Sequence, residues 1–212
     1  MRIAAVQRGL AILYPLSLVL VVLWAAGDRS PEEPAPLRGG AFARHFIAYG
    51  LFHGYEAGLP ACARPAAIDA VLLEPGDIIL GHNPHGLYGH WSHATLYLGS
   101  NQVLMQDITL GITMADLDSL AYYDEILIKR PAAPPAVRAQ AAQWARQLVG
   151  GVFNLSAHPR DCSQWTCAKS VWAAYHEQGV EVADGRFWMT PDSLVPCSGV
   201  VVAHTSGSQE ER

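Results

Sequence analysis

Two cysteines, a strand histidine and a glutamine are the residues whose types and spacing could do chemistry. The first region is His158 to Gly179, HPRDCSQWTCAKSVWAAYHEQG. Pro159 keeps His158 out of helical geometry, and Asp161 is a good N-cap residue. A helix is therefore predicted from Cys162 to about Gln178, with Gly179 placed to end it. In the first turn of such a helix, unpaired backbone N–H groups and the macrodipole favour a thiolate. The same N–H groups could stabilise an oxyanion, so Cys162 has the position of a nucleophile for a carbonyl. The plainer reading is packing, since free cysteine is among the most buried residue types. Cys167 competes with it. It lies five positions on, about 140° around the helix, so the two thiols cannot serve one site. Cys167 shares a stripe with Ser170, Val171 and Ala174, which reads as packing, and the capping argument prefers Cys162.

A thiol nucleophile needs a base. In SHATLYLG (Ser92 to Gly99), strand alternation puts His93, Thr95 and Tyr97 on one face and Ala94, Leu96 and Leu98 on the other. The second set is apolar and should face the core, leaving His93 to meet the helix terminus from the opposite face. In isolation, a histidine at a strand start is more often simply satisfied in place. The base in turn needs an orienting group. On the next strand Leu104, Gln106 and Ile108 share a face, and Asp107 belongs to the other. Gln106 is the choice for that role, with Asp107 in reserve.

A second constellation is HNPHGLYGHWSH, which carries His82, His85, His90 and His93. Imidazole is the commonest side-chain metal ligand, but no carboxylate or cysteine pattern completes a known site. Pro84, Gly86 and Gly89 make it a loop between two strands. Metal binding or acid sensing by this loop ranks below a plain role beside an active site. Cys62 and Cys197 could form a disulfide, although their distance cannot be read from spacing. Trp165, Trp172 and Tyr175 fall at core-like spacing along the cysteine helix.

These residues need elements to position them. The strand signals are LLEPGDIIL, SHATLYLGS, QVLMQDITL and Glu125 to Arg130, short β-rich runs separated by turn residues. Pro131 to Pro135 breaks the chain, and Ala136 to Val149 reads as a helix. Strands with flanking helices in segregated order give an α+β class. Upstream, Gly9 to Gly27 (GLAILYPLSLVLVVLWAAG) has 19 residues without a charge, preceded by Arg2 and Arg8. That is close to the roughly 20 residues of a bilayer-spanning helix. The two arginines would keep the N-terminus in the cytoplasm. A cleaved signal peptide is the rival, with only Ala25-Ala26-Gly27 offering small residues. Either way the domain leaves the cytoplasm. The expected organisation is an anchor or signal over 1–27, a linker over 28–40, one domain over 41–204 with an opening amphipathic helix from Ala41 to Gly58, and a disordered tail over 205–212.

Composition sets limits on all of this. Half of the 212 residues are hydrophobic and 16% are charged, which excludes a wholly disordered chain. The net charge is −5 and the pI about 5.9, so there is no electrostatic footprint for nucleic acid. Four cysteines are too few for a disulfide scaffold.

The order PGDIIL (Pro75 to Leu80), SHATLYLG, DCSQWT (Asp161 to Thr166) resembles the permuted NlpC/P60 papain-like superfamily, nearest the YaeF/YiiX-type cysteine amidases. In that group a Pro-Gly-Asp strand comes first, then a Ser-His strand, then a cysteine at a helix start. The similarity runs from about Leu73 to Val202 and includes FNL before the cysteine and TPDSL (Thr190 to Leu194) after the helix. It implies an antiparallel sheet packed against helices, with Cys162 as nucleophile, His93 as base and Gln106 as the polar third member. Aligning on VWAAYHEQG instead selects Cys167. The implied activity is thiol hydrolysis of an amide or acyl ester, cell-wall peptides being one candidate substrate and lipid acyl groups another. No cofactor is implied. The partners expected are the membrane, through the N-terminal helix, and a peptide or acyl substrate. An inactive binding module on the same fold, or a histidine-loop metal protein, are the alternatives.

Overall fold

The computed structural model describes residues 65–83, 89–107, 110–155, 157–158, 160–184 and 188–207. The membrane segment, the linker, the Ala41 to Gly58 helix, Cys62 and His85 lie outside the described residues. Among the described residues, no helix is long and apolar enough to cross a membrane.

Six antiparallel strands form the main sheet: β1 (Ile78–His82), β2 (His93–Gly99), β3 (Gln102–Asp107), β4 (Gly111–Asp116), β5 (Glu125–Pro131) and β8 (Gly199–Ser206). Their spatial order is β4-β3-β2-β1-β5-β8. A small parallel pair, β6 (Val152–Phe153) and β7 (Gln164–Trp165), stands apart from it. Among the described residues the α-helices are α1 (Pro135–Ala145), which follows β5, and α2 (Cys167–His176), which lies between β7 and β8. The α+β class expected from the sequence is the one observed. β4 and the parallel pair carried no signal that the strand patterns picked out. β8 runs through Thr205 and Ser206, which pair with Ile126 and Glu125, so the strand extends into residues read as tail.

Both faces of the central strands are covered. Ile78, Leu80, Ala94, Leu96, Leu98, Leu104 and Ile112 pack under α1 and α2, meeting Ala141, Ala142 and Ala145 of one and Ala168, Val171, Ala174 and Tyr175 of the other. Ile79, Tyr97, Val103, Ile126 and Ile128 pack on the opposite face beneath Leu117, Leu120 and Tyr123. The second cover comes from the 3₁₀ segment Leu117–Tyr122 and the residue that follows it. Consequently every residue of β2 is buried, polar ones included. Alternation along β2 therefore separates two buried faces rather than core from solvent.

The Pro-Gly-Asp run has a structural cause. Gly76 has φ +94°, and a Cβ there would stand 2.5 Å from the Arg138 carbonyl oxygen of α1. Only glycine fits that approach. Asp77 is fully buried and accepts from the Glu74 N–H at 2.8 Å and from Arg130 Nε and Nη2 at 2.8 and 2.7 Å. Tyr175 of α2 donates its hydroxyl to the Gly76 carbonyl. One turn thus joins β1, β5, α1 and α2. Burial and the neighbouring Asp77 push the Tyr175 hydroxyl far above its ordinary range, so it stays a donor.

Candidate functional site

The cysteine helix begins five residues later than the sequence suggests. Gln164 and Trp165 are held extended by parallel pairing with Val152 and Phe153, so the helix cannot include them. Thr166 is the actual N-cap; it is extended, and its hydroxyl accepts the Lys169 N–H at 3.1 Å. Asp161 caps only its own turn, accepting from the Ser163 N–H at 2.8 Å and the Ser163 hydroxyl at 2.6 Å. Those two donors hold the Asp161 carboxyl below its ordinary range. The correction is that Cys162 is exposed on a turn outside the helix, while Cys167 is buried as the first residue of α2. The thiol in the first turn of a capped helix is therefore that of Cys167. Thr166 is also an N-cap type, ranked a little below Asp161, and it is the signal in the sequence for this start. At the far end Gly179 has φ +71°, its N–H reaching His176 and that of Val180 reaching Tyr175, as expected for a glycine stop.

Lys169 fastens the Cys162 turn to the helix. Its ammonium donates to the carbonyls of Asp161 and Gln164 and lies 4.8 Å over the Trp165 ring. Burial pushes this ammonium below its usual range, and Asp161 and Cys162 oppose the shift.

Gln106 lies under α2. Its Nε2 donates to the Ser170 hydroxyl at 2.6 Å, and that hydroxyl donates to the Cys167 carbonyl at 2.8 Å. Its Oε1 is buried with no hydrogen-bond partner among the described residues. Asp107, on the other face, accepts the Leu110 N–H at 2.9 Å and shapes the β3–β4 turn.

His93 opens β2 on the face away from α2. It is opposite Gly81, which in turn pairs with Ile126, and its ring stacks on Tyr123 with centroids 5.6 Å apart and planes 8° apart. Its Nε2 is buried without a partner among the described residues. Burial lowers its pKa from 6.5 to about 4, so the ring is neutral near pH 7. β2 begins where β3 ends, and the Gln106–Ser170 bond places the start of α2 over that same end of the sheet. Cys167, Gln106 and His93 therefore share one end of the sheet. Cys167 and Gln106 are on its helical side and His93 is on the other. Cys162 joins neither group.

The histidine loop divides. His82 and His90 stack with centroids 4.6 Å apart, and each binds a carboxylate: His82 Nδ1 to Asp124 at 2.6 Å, His90 Nε2 to Glu125 at 3.0 Å. His204 of β8, absent from the sequence argument, also binds Glu125, at 2.5 Å. His93 is apart from this cluster. Among the described residues, no group of three or more histidine, cysteine or acidic side chains is arranged to hold a metal ion. Cys197 is buried beside Lys129, whose ammonium donates to the carbonyls of Val195 and Cys197.

No protein-family model matches the chain, and no curated protein matches it. Among solved structures it is similar to the crystal structure of the metalloprotein YiiX from Escherichia coli O157:H7. The identity is 16%, over 52% of this chain and 69% of that one, with a TM-score of 0.45. A match at this level names a likeness and assigns no residue.

Proposed function

We propose that this chain is a thiol hydrolase of papain-like type, acting on an amide or acyl-ester carbonyl, with Cys167 as nucleophile. The observation that carries the reading is the position of Cys167 as first residue of a capped helix at the end of the sheet where β2 opens with His93. First-turn N–H groups favour a thiolate and could receive the oxyanion of a tetrahedral intermediate. In this reading the Cys167 sulfur attacks the carbonyl carbon, and the leaving amine or alkoxide takes up the thiol proton. Water then hydrolyses the thioester, releasing acid and restoring the thiol. His93 is the base candidate, since it is neutral near pH 7 and has a ring nitrogen without a partner among the described residues. It would have to reach the thiol round the end of β2. Gln106 acts on the cysteine side, through Ser170, rather than on the imidazole. The charge-free N-terminal run supports a membrane-tethered domain outside the cytoplasm, where cell-wall peptides and lipid acyl groups are the substrates within reach.

Alkylation with peptide mapping tests this. Wild type, Cys167→Ala and Cys162→Ala are labelled with iodoacetamide near neutral pH. Faster labelling at Cys167 than at the unfolded-state rate, retained in Cys162→Ala, supports the reading. Labelling confined to Cys162 returns the role to the exposed turn. No enhanced labelling at either thiol removes the enzyme. The second reading, a binding module without catalysis, is favoured by one observation: His93 and Gln106 project to opposite faces of the sheet.

A further inference from the structure

The Thr190–Leu194 run, TPDSL, is a sequence motif that the chemistry above leaves unused. It folds as the 3₁₀ turn Pro191–Leu194 after α2, closed by a reciprocal capping box between Thr190 and Ser193. Its acidic residue points inward. Asp192 is 9% exposed, and its Oδ1 accepts the Trp91 N–H at 3.2 Å. The His90 N–H also reaches the carboxylate. Oδ2 is buried and has no hydrogen-bond partner among the described residues. Gly89 lies against that oxygen, where a Cβ would come within 1.5 Å, and it has φ +65°. A carboxylate seldom goes this deep without a purpose for its acceptors. Here the carboxylate holds the backbone of His90 and Trp91, with Gly89 packed against it, and this segment leads through Ser92 into His93.

Ser92 completes the hold from the other side. Its hydroxyl donates to the Gly81 carbonyl at 3.2 Å and accepts the Asn83 N–H at 3.1 Å. The start of β2 is therefore pinned on β1 by Ser92 and on the turn after α2 by Asp192. The direction of the His93 side chain follows from these two anchors and from the Tyr123 ring.

We propose that Asp192 is a positioning residue for His93: as a buried acceptor from the turn that follows α2, it fixes the Gly89–Trp91 segment and so couples the cysteine helix to the histidine strand. This deepens the thiol-hydrolase reading and rests on it only for the importance of His93. The acceptor does the work, not the charge. An asparagine can keep the bond to Trp91, because its side-chain carbonyl replaces Oδ1.

The test uses the full chain and two readouts independent of thiol reactivity: amide exchange at Trp91 and the ring titration of His93, both by NMR. In the wild type His93 should titrate near pH 4. Asp192→Ala is expected to speed Trp91 exchange by up to about tenfold, the factor for losing one hydrogen bond. The same variant should move the His93 titration upward by about one unit as the ring gains water. Asp192→Asn should leave both at wild-type values. Gly89→Ala, which displaces the segment while leaving the carboxylate, should reproduce the His93 shift and serves if Asp192→Ala does not fold. A wild-type His93 titration in Asp192→Ala, or in Gly89→Ala when the first does not fold, overturns the proposal. So does an Asp192→Asn variant that behaves like alanine. If these shifts occur while no cysteine labels fast, the positioning stands and the hydrolase reading falls.

Discussion

Asp77→Ala is the sharpest perturbation of the frame that carries the candidate site. The carboxylate is fully buried and receives three hydrogen bonds, two of them the paired donors of Arg130. Removing one partner of a buried pair costs about 3–5 kcal/mol, because the other charge stays behind uncompensated. Arg130 is not wholly stranded: it keeps Glu74 Oε1 and the Leu72 carbonyl, each at 2.8 Å, and its side chain is 20% exposed. The lower end applies, about 3 kcal/mol, with the Glu74 N–H losing its acceptor as well. For a domain of this size that lowers the melting midpoint by roughly 6–12 °C. Urea unfolding of wild type, Asp77→Ala, Arg130→Ala and the double variant gives the coupling directly. The double variant should cost less than the sum of the singles by more than about 1 kcal/mol. An Asp77→Ala loss below about 0.5 kcal/mol, or strictly additive singles, would refute the view of this turn as the joint of β1, β5, α1 and α2.

Three further outcomes are expected. Gly76→Ala should destabilise by about 2 kcal/mol or more, combining left-handed backbone strain with the contact on Arg138, whereas Gly179→Ala, which meets none of the described residues, should lose only the strain component of about 1 kcal/mol; thermal melts compare the two. His93 is held near pKa 4 in the folded chain against 6.5 unfolded, so the unfolded state binds its proton first. Its contribution is intact above pH 6.5 and is lost as pH falls towards 4, by about 3 kcal/mol at the acid end. His93→Phe, which keeps a ring against Tyr123, should flatten that part of the stability–pH curve, and equal slopes in the two proteins would contradict the burial argument. Gln106→Leu should change stability by less than about 1 kcal/mol, because it removes a buried unpaired oxygen along with one hydrogen bond. If Gln106 orders the cysteine turn through Ser170, the same variant should slow Cys167 alkylation, measured by peptide mapping.

Much of the frame could be read in the chain. Period-two apolar runs located β1, β2, β3 and β5, and Gly179 marked the end of α2, because strand alternation and a left-handed helix stop are local properties of a few residues. The α+β class followed from their order. Local rules also named a cap for the cysteine helix but chose the wrong one. Asp161 and Thr166 are both N-cap types, and the pairing of Gln164 and Trp165 with Val152 and Phe153, twelve residues earlier in each case, keeps the helix from starting before Cys167. The same limit applies to His93. Alternation correctly separated it from Ala94, Leu96 and Leu98, but it could not say that α2 packs on their side and Tyr123 on its own. His204 and Asp192 joined the histidine region only through β8 and the Thr190–Leu194 turn, across sequence separations no short motif spans. The sequence by itself determined which residues could cap, turn, alternate and carry a thiol or imidazole. The tertiary structure decided which thiol begins a helix and which sheet face each polar group meets, since those depend on long-range pairing and on what covers each face.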